Sequence, residues 1–250
     1  MKKNFSKSII ANTVTSLNIF SGFLSLIYAS QNNFMLAAIF IMAAAIFDAL
    51  DGIVARLLGT SSKFGVELDS LSDVVSFGAA PSFLIYKAFA FQFGVVGILI
   101  SSLLLIFGAL RLARFNISLE DINTKTDFTG LPIPLSAITI SLLIFSFYKD
   151  GKIIEPFNYL IFPLVILLSF LMVSKIRYNA LPKLKEKNIK QKLIYILILG
   201  IGIVLTVLSK GDIVFFIFLG IVLFGILRAI FNSLFDDDHK INKELKVREN

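Results

Sequence analysis

The sequence has no cysteine and a single histidine, His239, which sits in a polar stretch near the end of the chain. No disulfide framework, thiolate nucleophile or cysteine-ligated zinc site is available, and a histidine-based triad or metal centre is disfavoured. Charge is scarce as well: 16% of the 250 residues are charged, 56% are hydrophobic and the mean hydropathy is +0.84. Such a composition excludes a soluble globular protein. The net charge of +7 would suggest nucleic acid as a partner of a soluble chain, but in an apolar one it reads first as a topology signal.

Long apolar runs are abundant. At about 20 residues per helical crossing, eight stretches qualify: Ile9–Ser30, Phe34–Leu58, Phe64–Lys87, Phe93–Phe115, Pro132–Tyr148, Phe157–Ser174, Leu193–Leu208 and Ile213–Phe235. The first follows Lys2, Lys3 and Lys7 as a leader would. Its apolar region, at about 20 residues, is too long for a typical cleaved signal, so it reads as a membrane helix. An all-α, polytopic transmembrane bundle of about eight helices is expected.

Assigning each Lys and Arg to the nearest gap between stretches places 20 of the 24 basic residues on one side, against Lys87, Lys149, Lys152 and Lys210 on the other. Cytoplasmic loops retain basic residues, so both termini and the loops after the second, fourth and sixth helices are expected in the cytoplasm. The loop Lys175–Lys192 carries seven basic residues and one Glu, enough for anionic headgroups but read first as an orientation determinant. The residues after Phe235 open with Asp236, Asp237 and Asp238 and lack an apolar period, as a solvated or disordered tail would. Most of the positive charge is thereby orientation, and a nucleic-acid partner is not expected.

Acidic residues inside or at the rim of these helices are the informative exception. Asp48 and Asp51 are three apart and Asp69 and Asp73 four apart, so each pair shares a helix face. A lone carboxylate at membrane depth costs at least about 2.5–3.5 kcal/mol, and four on facing helices repel one another. A hard divalent cation suits an all-oxygen cluster of this kind, and two such ions can neutralise phosphate oxygens during displacement at phosphorus. Between the pairs lie Gly52, Ala55 and Gly65, small enough for close helix packing or for a flat base and a pyrophosphate. Arg56 is the basic residue inside the cluster, suited either to a phosphate or to holding an Asp.

The run from Asp48 to Asp73 reads D-x-x-D-G-x-x-A-R-x(8)-G-x(3)-D-x(3)-D. It resembles, without departure, the signature of the CDP-alcohol phosphotransferase family, a specific pattern of eight fixed positions. The resemblance implies a six-helix catalytic core over residues 1–174, followed by a basic loop at 175–192, two appended helices at 193–235 and a polar tail at 236–250. It implies a Mg²⁺- or Mn²⁺-dependent transferase that cleaves a CDP-linked donor, releases CMP and transfers the phosphoryl-alcohol unit to an acceptor hydroxyl. Asp48, Asp51 and Asp69 would be metal ligands. Asp73 would be the general base, touching the second ion. Gly52, Ala55 and Gly65 would line the cytidine pocket, and a homodimer is implied.

Weaker secondary motifs resemble the branch that transfers the phosphatidyl group of CDP-diacylglycerol to the hydroxyl of L-serine. They are Asn12, Thr15, Asn18 and Gly22 in the first helix, the run Ser76–Pro81, the run Gly108–Asn116 and the run Phe128–Pro134. Asn18 is suited to the nucleotide or to bridging helices. Arg111 and Arg114, three apart on one face, are candidates for the acceptor carboxylate or a phosphate, with positive-inside anchoring as the plainer reading. Asn116 is a candidate acceptor contact or a helix cap. Two alternatives share the aspartates: another family member such as phosphatidylglycerophosphate synthase, and a divalent-cation channel or transporter. An active site near the cytoplasmic face of the cell membrane is expected.

Overall fold

The computed structural model describes residues 2–59, 62–120, 130–176, 178, 209 and 211–248, with backbone alone at 2–8, 56, 118–120 and 233–248. The chain is an all-α membrane bundle. Helix α1 (Lys2–Ser30) and helix α2 (Phe34–Leu58) form an antiparallel pair. The turn between them is set locally: Asn32 takes a left-handed conformation (φ 62°), and the Asn33 side chain accepts the Leu36 amide at 3.3 Å to cap α2. Gly59 ends α2 in the left-handed region, at φ 64°. Ser62 then caps helix α3 (Lys63–Asp73) by accepting the Gly65 amide at 3.0 Å.

The expected helix Phe64–Lys87 is a single helical rod in three parts. Helix α3 passes into a π-helical segment at Val74–Ala79, which runs on as helix α4 (Ala80–Ala88). A short 3₁₀ turn, Ala90–Phe93, leads into helix α5 (Gly94–Glu120), which extends beyond the expected end at Phe115. Helix α6 (Ile133–Phe147) is followed by a two-stranded hairpin, β1 (Tyr148–Lys149) and β2 (Lys152–Ile153). Its turn, Asp150-Gly151, has positive φ at both positions, the primed geometry that suits strand twist. Helix α7 (Phe157–Val173) and helix α8 (Asp212–Arg248) complete the described elements. The expected helix Leu193–Leu208 lies outside the described residues, and α8 carries the polar stretch at 236–248 as helix.

Ile9–Ser30, Phe34–Ala55, Ala90–Ile117 and Asp212–Asn232 are long and apolar enough to cross a membrane, and α6 and α7 are shorter apolar helices. Exposed side chains such as Val95, Leu99, Phe170 and Phe224 give the bundle an apolar exterior, as hydrocarbon requires. Inside, small residues let helices close in: Ala37, Ala38 and Ala44 of α2 are fully buried beside Ile41, and α2 packs on α6.

Candidate active site

The α2–α3 turn folds the two aspartate-bearing helix ends together. Oxygens of Asp48, Asp51 and Asp69 all lie within 4.8 Å of one another. Asp73, one turn beyond Asp69, stands outside that trio, yet its charge interacts with all three. Asp51 and Asp73 are buried, at 6% and 8% exposure. Asp69 Oδ1 and Asp73 Oδ1 are buried and have no hydrogen-bond partner among the described residues. Carboxylates crowded and desolvated in this way are stable as anions only with compensating positive charge. The donor set is all oxygen, which fits a hard divalent cation.

The rod that carries Asp69 and Asp73 is pinned to α1. Ser72 Oγ donates to the Thr15 carbonyl at 3.3 Å, and Ser76 Oγ donates to the Asn18 carbonyl at 2.9 Å. Gly22 permits the approach, since a Cβ there would lie 2.8 Å from Ser76 Cα. The π-helical segment begins directly after Asp73. Such segments are rare and are often found at functional positions. Asn18 is fully buried, and neither polar atom of its side chain has a hydrogen-bond partner among the described residues. Gly65 sits where α1 and the start of α3 meet, its missing Cβ 3.3 Å from Ser62 Oγ and 3.7 Å from Asn12 Oδ1. Gly52 and Ala55 are half-buried on α2, and Arg56 lies on the same helix.

The arginines expected to act together take different partners. Arg111 is half-buried and faces Asp73, each within the field of the other's charge. Arg114 is exposed and donates from Nη1 to the Val173 carbonyl at 2.9 Å, satisfying a carbonyl at the C-terminus of α7. Asn116 lies within α5, so it does not cap that helix; its Nδ2 donates to Ser70 Oγ at 3.0 Å, and Ser70 Oγ lies 3.2 Å from Asn116 Oδ1. The roles of Ser70, Ser72 and Ser76 were not singled out from sequence. Their signal is a serine every two to four residues through the aspartate-bearing segment, a polarity that an apolar helix has no other reason to carry.

The model of the CDP-alcohol phosphatidyltransferase family matches residues 8–171 of this chain, a span that includes all four aspartates. The chain belongs to that family. Among its relatives, the CDP-diacylglycerol–serine O-phosphatidyltransferase of Helicobacter pylori strain J99 is 40% identical over 89% of this chain and 92% of its own length. A protein of the same name from Methanocaldococcus jannaschii is 40% identical over 88% of this chain and 94% of its own. The archaetidylserine synthase of Methanothermobacter thermautotrophicus is 41% identical over 71% of this chain and 72% of its own. As a family member the chain is a transferase of the multi-pass membrane type, and the buried acidic cluster is compatible with the divalent-metal dependence general to the family.

Proposed function

We propose that the chain transfers the phosphatidyl group of CDP-diacylglycerol to L-serine, forming phosphatidylserine and CMP. The carboxylate trio with Asp73 beside it is the observation that carries this reading, together with the names of relatives at about 40% identity over nearly their full length. Asp48, Asp51 and Asp69 would hold Mg²⁺ or Mn²⁺, two ions in all, with Asp73 as a further ligand. Bound there, the ions supply positive charge to the donor diphosphate and to the departing CMP.

The protein's own groups do the rest. The serine hydroxyl oxygen attacks the phosphorus that bears diacylglycerol, forming the new P–O bond as the P–O bond to CMP breaks. Asp73 accepts the hydroxyl proton. Gly52, Ala55 and Gly65 leave room for the cytidine, while Arg56 and Asn18 contact the donor. The hydrogen bonds from Ser72 and Ser76 to α1 hold Asp73 in place.

We assign residues 1–174 to the catalytic core, a division supported by the span of the family match, with 175–192 a basic loop, 193–235 two appended helices and 236–250 a polar tail. Both termini and the active site face the cytoplasm, a reading supported by the asymmetry of Lys and Arg. A homodimer follows from the family resemblance. CMP release from CDP-diacylglycerol, measured with L-serine and then with glycerol 3-phosphate, tests the reaction. Release with serine supports it; release with glycerol 3-phosphate alone refutes the serine acceptor and leaves the family intact.

A further inference from the structure

Arg111 offers a free edge beside Asp73. Its Nε is buried and has no hydrogen-bond partner among the described residues. Nε–H and one Nη–H form the side-on edge of a guanidinium, the edge that takes both oxygens of a carboxylate. A desolvated donor without an acceptor is costly, and a ligand that brings the acceptor removes that cost.

The surroundings fix where this edge lies. Asn116 and Ser70 exchange contacts of 3.0 and 3.2 Å between α5 and α3. Arg111 and Asp73 lie on the same pair of helices within the field of each other's charge, deeper in the bundle by about 1.5 Å per residue along each helix. Arg114 is occupied by the Val173 carbonyl. In serine the carboxylate and the hydroxyl hang from adjacent carbons, so the groups that hold them must themselves be neighbours. Arg111 and Asp73 meet that requirement, and Arg114 and Asp73 do not.

We infer that Arg111 determines acceptor specificity, its side-on edge binding the carboxylate of an α-amino acid whose hydroxyl faces Asp73. This rests on the serine-transfer reading and narrows recognition of the acceptor to one arginine. The same fork suits a phosphate oxygen of the donor, so the test must separate the two substrates.

CMP release is measured for the full chain in lipid nanodiscs with CDP-diacylglycerol and either L-serine or serinol, which keeps the hydroxyl and the amine but has no carboxylate. The parent protein should prefer serine about 10- to 100-fold in kcat/KM, the range for losing a charge-assisted hydrogen bond. Arg111→Gln should raise KM for serine by a similar factor, move KM for CDP-diacylglycerol less than about threefold and bring the two acceptors within about threefold of each other. Arg111→Lys, which keeps the charge but loses the fork, should recover only part of the preference. A parent protein that uses serinol as well as serine overturns the inference without any variant. Equal losses for both acceptors in Arg111→Gln overturn it too, and assign the arginine to the donor or to the fold. A parent protein that releases CMP with neither acceptor strikes the serine-transfer reading instead.

Discussion

Two helix seams in this protein bury side chains equally well and do so with opposite chemistry. Where α1 meets the α3–π rod, the contact is made of small and polar groups: Gly22 against Ser76, and serine hydroxyls on the carbonyls of Thr15 and Asn18. Where α6 meets α8 and α7, the contact is aromatic. Phe147 stacks on Phe157 with ring centroids 3.5 Å apart and meets Phe215 edge-on at 5.3 Å. Lipid is as apolar as phenylalanine, so burial by itself drives neither seam, and both depend on close packing. The aromatic seam tolerates small shifts because many weak contacts share the load. The polar seam does not, because it sets the position of Asp73 next to three other carboxylates.

The comparison yields an ordered set of expectations. Asp48→Asn, Asp51→Asn or Asp69→Asn should each lower kcat/KM at least about 10³-fold while the protein still inserts, and removal of divalent metal should abolish CMP release. Activity that survives complete chelation would remove the metal from the reading. Asp73→Asn should lower kcat by about 10²- to 10⁴-fold and leave binding of CDP-diacylglycerol within a few-fold, measured by titration with the donor. A loss of donor affinity equal to the loss of kcat would make Asp73 a ligand and not a base.

The seams themselves can be broken separately. Gly22→Val drives two methyl groups into Ser76 and should cost about 1–3 kcal/mol of stability, with a loss of kcat beyond the unfolded fraction. Phe215→Ala at the aromatic seam should cost about 1–3 kcal/mol, its transfer term being small in lipid, with kcat per folded molecule unchanged. Thermal unfolding paired with CMP release distinguishes the two. If Phe215→Ala impaired kcat as strongly as Gly22→Val, the division between a positioning seam and a supporting one would fail. Asn116→Ala, which removes one neutral contact between α3 and α5, should cost about 1 kcal/mol.

Composition and spacing alone determined that this chain is a helical membrane protein and that its four aspartates pair on two helix faces. Both follow from local rules: hydrocarbon demands runs of about 20 apolar residues, and an i, i+3 or i, i+4 spacing places side chains on one face in any helix. Spacing left the four equivalent and the family resemblance set Asp73 apart; the tertiary structure gave that division a geometry, the trio Asp48, Asp51 and Asp69 without Asp73, because it depends on how two helices converge and not on intervals within either. It also parted Arg111 from Arg114, which helical spacing places on one face. Their partners, Asp73 on α3 and the Val173 carbonyl on α7, come from distant parts of the chain. The π-helical segment after Asp73 was illegible in advance for the same reason. An unfavourable local geometry persists where packing across a seam, here Ser76 on Asn18 and Gly22, outweighs its cost, and Ser76 by itself does not name the partners on α1 that it meets.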